Sequence, residues 1–93
     1  MKVALFSVFD KKTFVYLAPF VARSQVDAIR QIKASFKDPA MCETPVGQNP
    51  EDFDIMLVGS FDDESGDIAP VKPMFIARLV DLRDDSRSGT VST

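Results

Sequence analysis

Residues 2–9 read Lys-Val-Ala-Leu-Phe-Ser-Val-Phe, and this stretch decides the fold. It is rich in β-branched and aromatic residues, and both of its alternating sets of side chains are largely apolar. This pattern is typical of a strand that lies centrally in a sheet and is covered on both faces. The polar residues 10–12 follow, and residues 13–17 resume a strand pattern. The sequence therefore predicts a β-hairpin over residues 2–17, whose second strand ends or bends at Pro19.

A helix is predicted after this hairpin. Ser24, followed three residues later by Asp27, is an N-capping signature, and apolar residues then recur at helical spacing. We expect the helix to run from about residue 25 to 37. Asp38-Pro39 ends it, because the residue before a proline is disfavoured in the helical conformation. The segment that follows, as far as Asn49, reads as a loop.

The second half of the chain predicts another hairpin. Residues 50–53 (Pro-Glu-Asp-Phe) form a short helical turn anchored by the phenylalanine, and residues 54–61 form a strand. A turn then places Gly66 in a left-handed conformation, and residues 67–71 form the short return strand of the hairpin. Residues 74–80 can form a further strand, whose place in the sheet the sequence leaves open.

These elements indicate one α+β domain over residues 1–83. We expect a small antiparallel sheet built from two hairpins, with one main helix packed on one face. Residues 84–93 contain a single apolar residue and are predicted to form a flexible tail.

The charge is unevenly distributed along the chain. Residues 1–37 carry seven basic and two acidic side chains, a balance of +5, whereas residues 38–93 carry four and twelve, a balance of −8. The sum is −3, which by itself argues weakly against a dedicated nucleic-acid binder. The basic excess of the N-terminal half is the feature that points toward an acidic partner.

The sequence contains few residues that are suited to catalysis. The chain has no histidine, which removes the most common general base and a frequent metal ligand. Its single cysteine, Cys42, lies beside Glu43 rather than beside a basic group that would activate it. The acidic residues of the second turn, Asp62 to Asp67, lack the spacing of a calcium loop and read as a solvated turn. We therefore expect a protein that is not an enzyme and that holds no metal or cofactor.

The composition also bears on location. No apolar stretch approaches the length that a bilayer span requires, and the N-terminus lacks the features of a secretory signal. A single cysteine cannot form an internal disulfide, which agrees with a reducing compartment. We expect a cytoplasmic protein with no membrane partner.

Two groups of residues are candidate contacts for nucleic acid. On the predicted helix, Arg30, Lys33 and Lys37 lie within about 60° of one another and form a basic ridge. At the first hairpin, Lys11 and Lys12 lie next to Phe14 and Tyr16, and this combination of cations and aromatic rings is used by proteins that bind single-stranded nucleic acid. Arg23 adds a further cation before the helix. From the residues alone the plainer alternative is favoured: a solvated helix face, a core Phe14 and a half-buried Tyr16.

Several segments also match a family pattern. They are Phe9-Asp10-Lys11-Lys12, Pro19-Phe20, Ala28-Ile29-Arg30, the Asn-Pro-Glu-Asp-Phe-Asp run at residues 49–54 and the Gly-Ser-Phe-Asp-Asp-Glu-Ser-Gly run at residues 59–66. In these segments, and over about residues 2–80, the chain resembles the small nonstructural protein of gokushovirus-type microviruses, which are tailless phages with single-stranded DNA genomes. The resemblance implies a role in phage DNA synthesis, through DNA binding or the switch to single-stranded genome production, and implies no enzyme activity.

These observations predict a homo-oligomeric accessory protein of phage replication, in the cytoplasm of the bacterial host, that binds single-stranded DNA through its basic N-terminal half. The alternative is a module that docks on a phage or host replication protein without contacting DNA. A dimer is expected because the chain is small and opposite charges of neighbouring copies, or an apolar strand edge, can meet.

Overall fold

The computed structural model describes residues 1–88, with side chains as far as residue 83. Five strands form one antiparallel sheet in the order β2-β1-β4-β5, and β3 also pairs with β1. The strands are β1 (Lys2–Asp10), β2 (Val15–Tyr16), β3 (Phe20–Ala22), β4 (Phe53–Asp62) and β5 (Ile68–Arg78), and the helices are α1 (Gln25–Ser35), α2 (Pro45–Gln48) and α3 (Leu79–Ser88). The predicted α+β class is confirmed.

Strand β1 lies in the middle of the sheet, as predicted. On one side it pairs along its whole length with β4, from Lys2 opposite Asp62 to Asp10 opposite Phe53. On the other side its return strand is divided into β2 and β3, because the chain bends at Pro19. The Ser7 hydroxyl donates a hydrogen bond of 2.6 Å to the carbonyl of Leu17 in the bend. The return strand is therefore shorter than the predicted residues 13–17.

Helix α1 begins as predicted. The Ser24 hydroxyl accepts a hydrogen bond of 3.1 Å from the backbone N–H of Asp27, and Ala28 is fully buried. Ile29, Ile32 and Phe36 pack against the core, so the predicted apolar stripe faces the sheet. The buried core comprises Phe6, Val8, Ala22, Ala28, Phe53, Ile55, Leu79 and Leu82.

The segment predicted as a loop before Asn49 is partly helical. It contains a 3₁₀ turn, Pro39–Glu43, followed by α2. Each begins with a proline after a capping residue: the Asp38 carboxylate accepts from Ala40 N–H, and the Thr44 hydroxyl accepts from Gly47 N–H, both at 3.0 Å. The loop prediction was wrong because the prolines are first-turn residues of new helices.

The predicted short return and further strand are one strand, β5. It runs through Pro70 and Pro73, and its pairing with β4 shifts register at two places. Because β5 lies at the sheet edge, it pairs with a neighbouring strand on one side only. Prolines, which lack an N–H group, are therefore tolerated in it. The strand ends at Arg78 rather than at residue 80, and helix α3 begins at Leu79, which is fully buried.

The C-terminal helix was not predicted. The apolar run before it continues a strand pattern, and only the burial of Leu79 and Leu82 distinguishes a helix. The predicted tail, residues 84–93, falls partly on the backbone of α3, which reaches Ser88, and residues 89–93 lie outside the described residues. The flexibility of the tail stays a prediction.

The two faces of the sheet differ. One face carries Phe6 and Val8 and packs against the helices. Side chains of the other face, called the open face below, alternate with these along each strand. The apolar members of the open face, matched across the strand pairs, are Val3, Leu5, Phe9, Tyr16, Val21, Met56, Phe61, Ile68 and Phe75. The same registers place Ser7, Asp54, Gly59, Pro70 and Arg78 on this face. No helix packs on it within residues 1–88. Ser7 on this face is nevertheless only 2% exposed, because the bend at Leu17 lies against it. The predicted cover of β1 is therefore complete on the helix face and partial on the open face.

Candidate nucleic-acid interface

The turn between β1 and β2 is held by Asp10. Its carboxylate accepts hydrogen bonds from the backbone N–H groups of Lys12, at 2.8 Å, and Thr13, at 3.3 Å. Its carbonyl accepts a third, of 2.8 Å, from the N–H of Phe14. The hydrogen bond from Lys12 lowers the pKa of the Asp10 carboxyl, because the N–H group stabilises the ionised form. The turn is therefore built on a carboxylate that is charged at neutral pH.

Phe14 occupies an unusual position at the end of this turn. Its φ is 61°, the left-handed region that bulky residues rarely adopt, and its side chain is 77% exposed. The alternative in which Phe14 is a core residue was therefore wrong. Holding a large side chain in this conformation costs about 1 to 2 kcal/mol, and the folded chain recovers little of it by burying the ring.

Phe14 belongs to a cluster of three rings, called the aromatic tip below. The Phe9 ring lies between the other two, with its centroid 4.6 Å from that of Tyr16 and 6.4 Å from that of Phe14. Phe9 and Tyr16 are paired across β1 and β2, so their side chains share the open face. Tyr16 is 42% exposed, close to the half-buried state of the alternative interpretation.

Phe9 was not among the contact residues predicted from the sequence. The available signal was alternation along β1, which separates Phe9 from the buried Phe6 and Val8. Which residue of β2 lies opposite Phe9 depends on the exact length of the turn between β1 and β2, and only the structure fixes that length.

The two lysines of the turn have different surroundings. Lys12 is exposed, whereas the Lys11 ammonium lies 3.2 Å from Oδ1 of Asp54, whose side chain is only 13% exposed. That oxygen is buried and has no hydrogen bond of good geometry in the described part of the chain, so the ammonium compensates its charge. Lys12 is available to a ligand, and Lys11 is committed to the fold.

The basic ridge is separated from the aromatic tip. Arg30 and Lys33 lie on α1, and Lys37 directly follows its C-cap, Phe36. This helix packs on the helix-covered face of the sheet, while the aromatic tip lies on the other face. Arg30 and Lys37 are exposed, and Lys33 is partly buried with an interaction of its own. A short extended ligand on one face cannot contact both groups, although the sequence had placed them in one site.

Arg23 lies apart from both groups. It follows β3, whose Ala22 pairs with Ala4, so it is near the end of β1 that is opposite to the turn. There it lines a shallow cavity of about 370 Å³ together with Val3, Phe61 and Asp63. Its backbone N–H donates to the Asp27 carboxylate at 3.1 Å.

The fold brings the two oppositely charged halves of the chain into register. The basic N-terminal segment contributes β1, which pairs throughout with β4 of the acidic half. The N-terminal ammonium lies 2.9 Å from the Asp63 carboxylate, with Asp62 and Glu64 also within 4 Å. The excess of +5 is therefore partly neutralised in space, and the exposed cations of the tip and the ridge remain.

The other candidate residues take ordinary positions. Gly66 has φ 79°, which confirms the left-handed turn position. Cys42 is exposed on the 3₁₀ turn that precedes α2. Among the side chains that the structure describes, no three acidic or cysteine groups are placed to hold a metal ion. No helix within the described range is both long and apolar enough to cross a membrane.

Comparison with known proteins gives one match. A family described as "Phage ORF5 protein" matches residues 3–82, nearly the whole of the described chain. No curated protein and no solved structure matches the chain.

Proposed function

The chain belongs to the Phage ORF5 protein family, and on this premise we propose that it is a non-enzymatic accessory protein of a bacteriophage that binds single-stranded DNA. The binding serves synthesis of a single-stranded genome in the cytoplasm of the host, as the microvirus resemblance implies. The contact is made by the aromatic tip and Lys12 rather than by the whole basic half of the chain.

One observation carries the proposal: the exposed ring of Phe14 is held in a strained backbone conformation at the point of a turn. A residue that lowers stability and gains little burial is expected where a ligand supplies the compensating contact. Strain and exposure of this kind are typical of binding positions.

The chemistry of the tip suits unpaired bases. The faces of Phe14 and Tyr16 provide platforms on which bases stack, and such stacking contributes about 1 to 3 kcal/mol per base. Lys12 supplies a mobile cation for the adjacent phosphate. Because bases in a duplex are already stacked on one another, the same surface discriminates in favour of single strands.

The basic ridge on α1 has a secondary role in this proposal. A strand that is bound at the aromatic tip must pass around the edge of the sheet to reach Arg30 or Lys37. Charge reversal on the ridge is therefore expected to weaken the binding of long oligonucleotides and to leave that of short ones unchanged.

The test is a fluorescence-anisotropy titration of a labelled oligothymidine at several salt concentrations. Phe14→Ala is expected to weaken binding about tenfold through the loss of one stacked base. Lys12→Gln is expected to lower the slope of log affinity against log salt by about 0.7, the value for one phosphate contact to a single strand.

Two matched variants serve as controls. Val26 is also exposed and apolar but lies on α1, and Lys72 is exposed on β5. Val26→Ala and Lys72→Gln should leave affinity and salt slope unchanged. Absence of binding by the unmodified protein at low ionic strength would contradict the proposal and favour docking on a replication protein. Equal loss in Phe14→Ala and Val26→Ala would exclude the aromatic tip.

A further inference from the structure

The open face of the sheet is apolar and lacks a covering layer. Three of its members, Val21, Ile68 and Phe75, are each about half exposed or more. Strand β1 contributes apolar side chains to both of its faces, a pattern of strands that are buried on both sides. The helices cover only one of these faces in residues 1–88.

We propose that a second copy of this chain packs on the open face, sheet against sheet, to form a two-fold symmetric dimer. This arrangement completes the cover that the apolar pattern of β1 predicts for its second face. Phe9 and Tyr16 of the aromatic tip belong to the open face, so the dimer covers part of the surface that is proposed to bind DNA. Dimerisation is measured without nucleic acid, so its failure and the failure of DNA binding are distinguishable.

The sheet edges are poor sites for self-association. Strand β5 forms one edge, and it contains Pro70, Lys72 and Pro73 and pairs irregularly with β4. Prolines, lysines and bulges at an edge oppose pairing with another chain. The opposite edge consists of β2 and β3, with two and three residues. Pairing through an apolar strand edge, one of the two routes expected from the sequence, is therefore disfavoured.

The charged groups at the two ends of the sheet are largely balanced within one chain. Lys11 is paired with Asp54, and the N-terminal ammonium lies within 4 Å of Asp62, Asp63 and Glu64. Charge therefore opposes neither orientation of the second copy, and the apolar side chains of the open face carry the contact.

The area of the face agrees with a dimer. Four strands spaced about 4.8 Å apart and about nine residues long, at about 3.3 Å each, give on the order of 600 Å² per copy. Two copies then bury about 1,200 Å², the lower limit for a specific and stable interface. The charged side chains of this area, Asp54 and the exposed Arg78, are paired across β4 and β5 at one margin, and Lys11 compensates the Asp54 carboxylate.

Sedimentation equilibrium of the full chain without DNA tests the proposal. The unmodified protein is expected at twice the chain mass of 10.3 kDa. Phe75→Lys should give the mass of a single chain, because Phe75 pairs with Met56 on the open face. Met74→Lys is the matched control: Met74 is equally exposed but pairs with Leu57 on the helix-covered face, and this variant should remain a dimer.

Two results would contradict the dimer. A single-chain mass for the unmodified protein at all concentrations, or a dimer that survives Phe75→Lys with its circular dichroism unchanged, would overturn the proposal.

Discussion

The two hairpin turns of this protein share one backbone design and differ in side chains. In each, an aspartate carboxylate accepts from the N–H two residues later, at 2.8 Å in Asp10 and 2.9 Å in Asp62. In each, the carbonyl of that aspartate accepts from the N–H four residues later at 2.8 Å. The fifth residue is left-handed in both: Phe14 at φ 61° and Gly66 at φ 79°.

The two turns differ in the residue that adopts the left-handed backbone conformation. Gly66 adopts it without steric penalty, and nothing lies within 4 Å of a Cβ built there. Phe14 adopts it under strain and presents its ring to solvent. Because the backbone requirement is the same in both turns, the phenylalanine is not explained by the fold. This difference supports the proposal that the first turn binds the ligand and that the second has a structural role.

The largest expected effect is on the affinity for DNA when the side chains of the first turn are replaced by those of the second. The variant K12E/T13S/F14G keeps Lys11, which compensates Asp54, and replaces the aromatic and cationic groups. We expect affinity for a single-stranded oligonucleotide to fall by about 30-fold or more, through the loss of a stacked base and the reversal of one charge. Anisotropy measures the affinity, and a circular dichroism spectrum checks the fold. Unchanged affinity would show that the two turns are functionally equivalent.

A smaller effect is expected on stability when the left-handed residues are changed. Gly66→Phe should lower the free energy of unfolding by about 1 to 2 kcal/mol, because the site is spacious and the penalty is purely conformational. Phe14→Asn should raise it by about 1 kcal/mol, because asparagine tolerates this conformation. Urea denaturation measures both. A destabilising Phe14→Asn would mean that the ring supports the fold, and the functional assignment of the turn would lose its basis.

The smallest effect concerns pH. Backbone hydrogen bonds, from Lys12 N–H to Asp10 and from Glu64 N–H to Asp62, lower the pKa of both carboxyls below the ordinary value of 3.8. A pKa that is lower in the folded state stabilises the protein above about pH 3.8, and this contribution is lost as the pH falls through the folded value. Relative to D10A/D62A, the unmodified protein should therefore have a higher urea midpoint at neutral pH, and the difference should shrink in acid. A difference independent of pH would contradict this origin.

The local elements were predictable because their signals lie close together in sequence. The cap formed by Ser24 and Asp27, the bend at Pro19 and the left-handed Gly66 each depend on a few adjacent residues. The helices after Asp38 and Thr44 had equally local signals, a capping residue followed by proline, and these were misinterpreted as loop. Helix α3 differs, because its Leu79 and Leu82 are distinguished from strand residues only by what they pack against.

The candidate site was predictable only in part. Lys12, Phe14 and Tyr16 were selected from sequence and do lie together, with Phe9 added by strand pairing. The basic ridge and Arg23 were selected by the same charge argument and lie elsewhere, because sequence proximity does not determine which face of a sheet an element covers. The pairing of Lys11 with Asp54 joins residues 43 positions apart and had no sequence signal.

The sequence by itself determined the turns, the main helix cap, the α+β class and the uneven charge, since these follow from the conformational preferences of neighbouring residues. Only the tertiary structure decided that the two charged halves interleave, that the helices cover one face of the sheet, and that Phe14 is exposed under strain. These features depend on strand register and on contacts between distant residues, which fix the face that each side chain occupies. The residues that define the aromatic tip and the open face are therefore visible in the sequence, but their arrangement is a property of the fold.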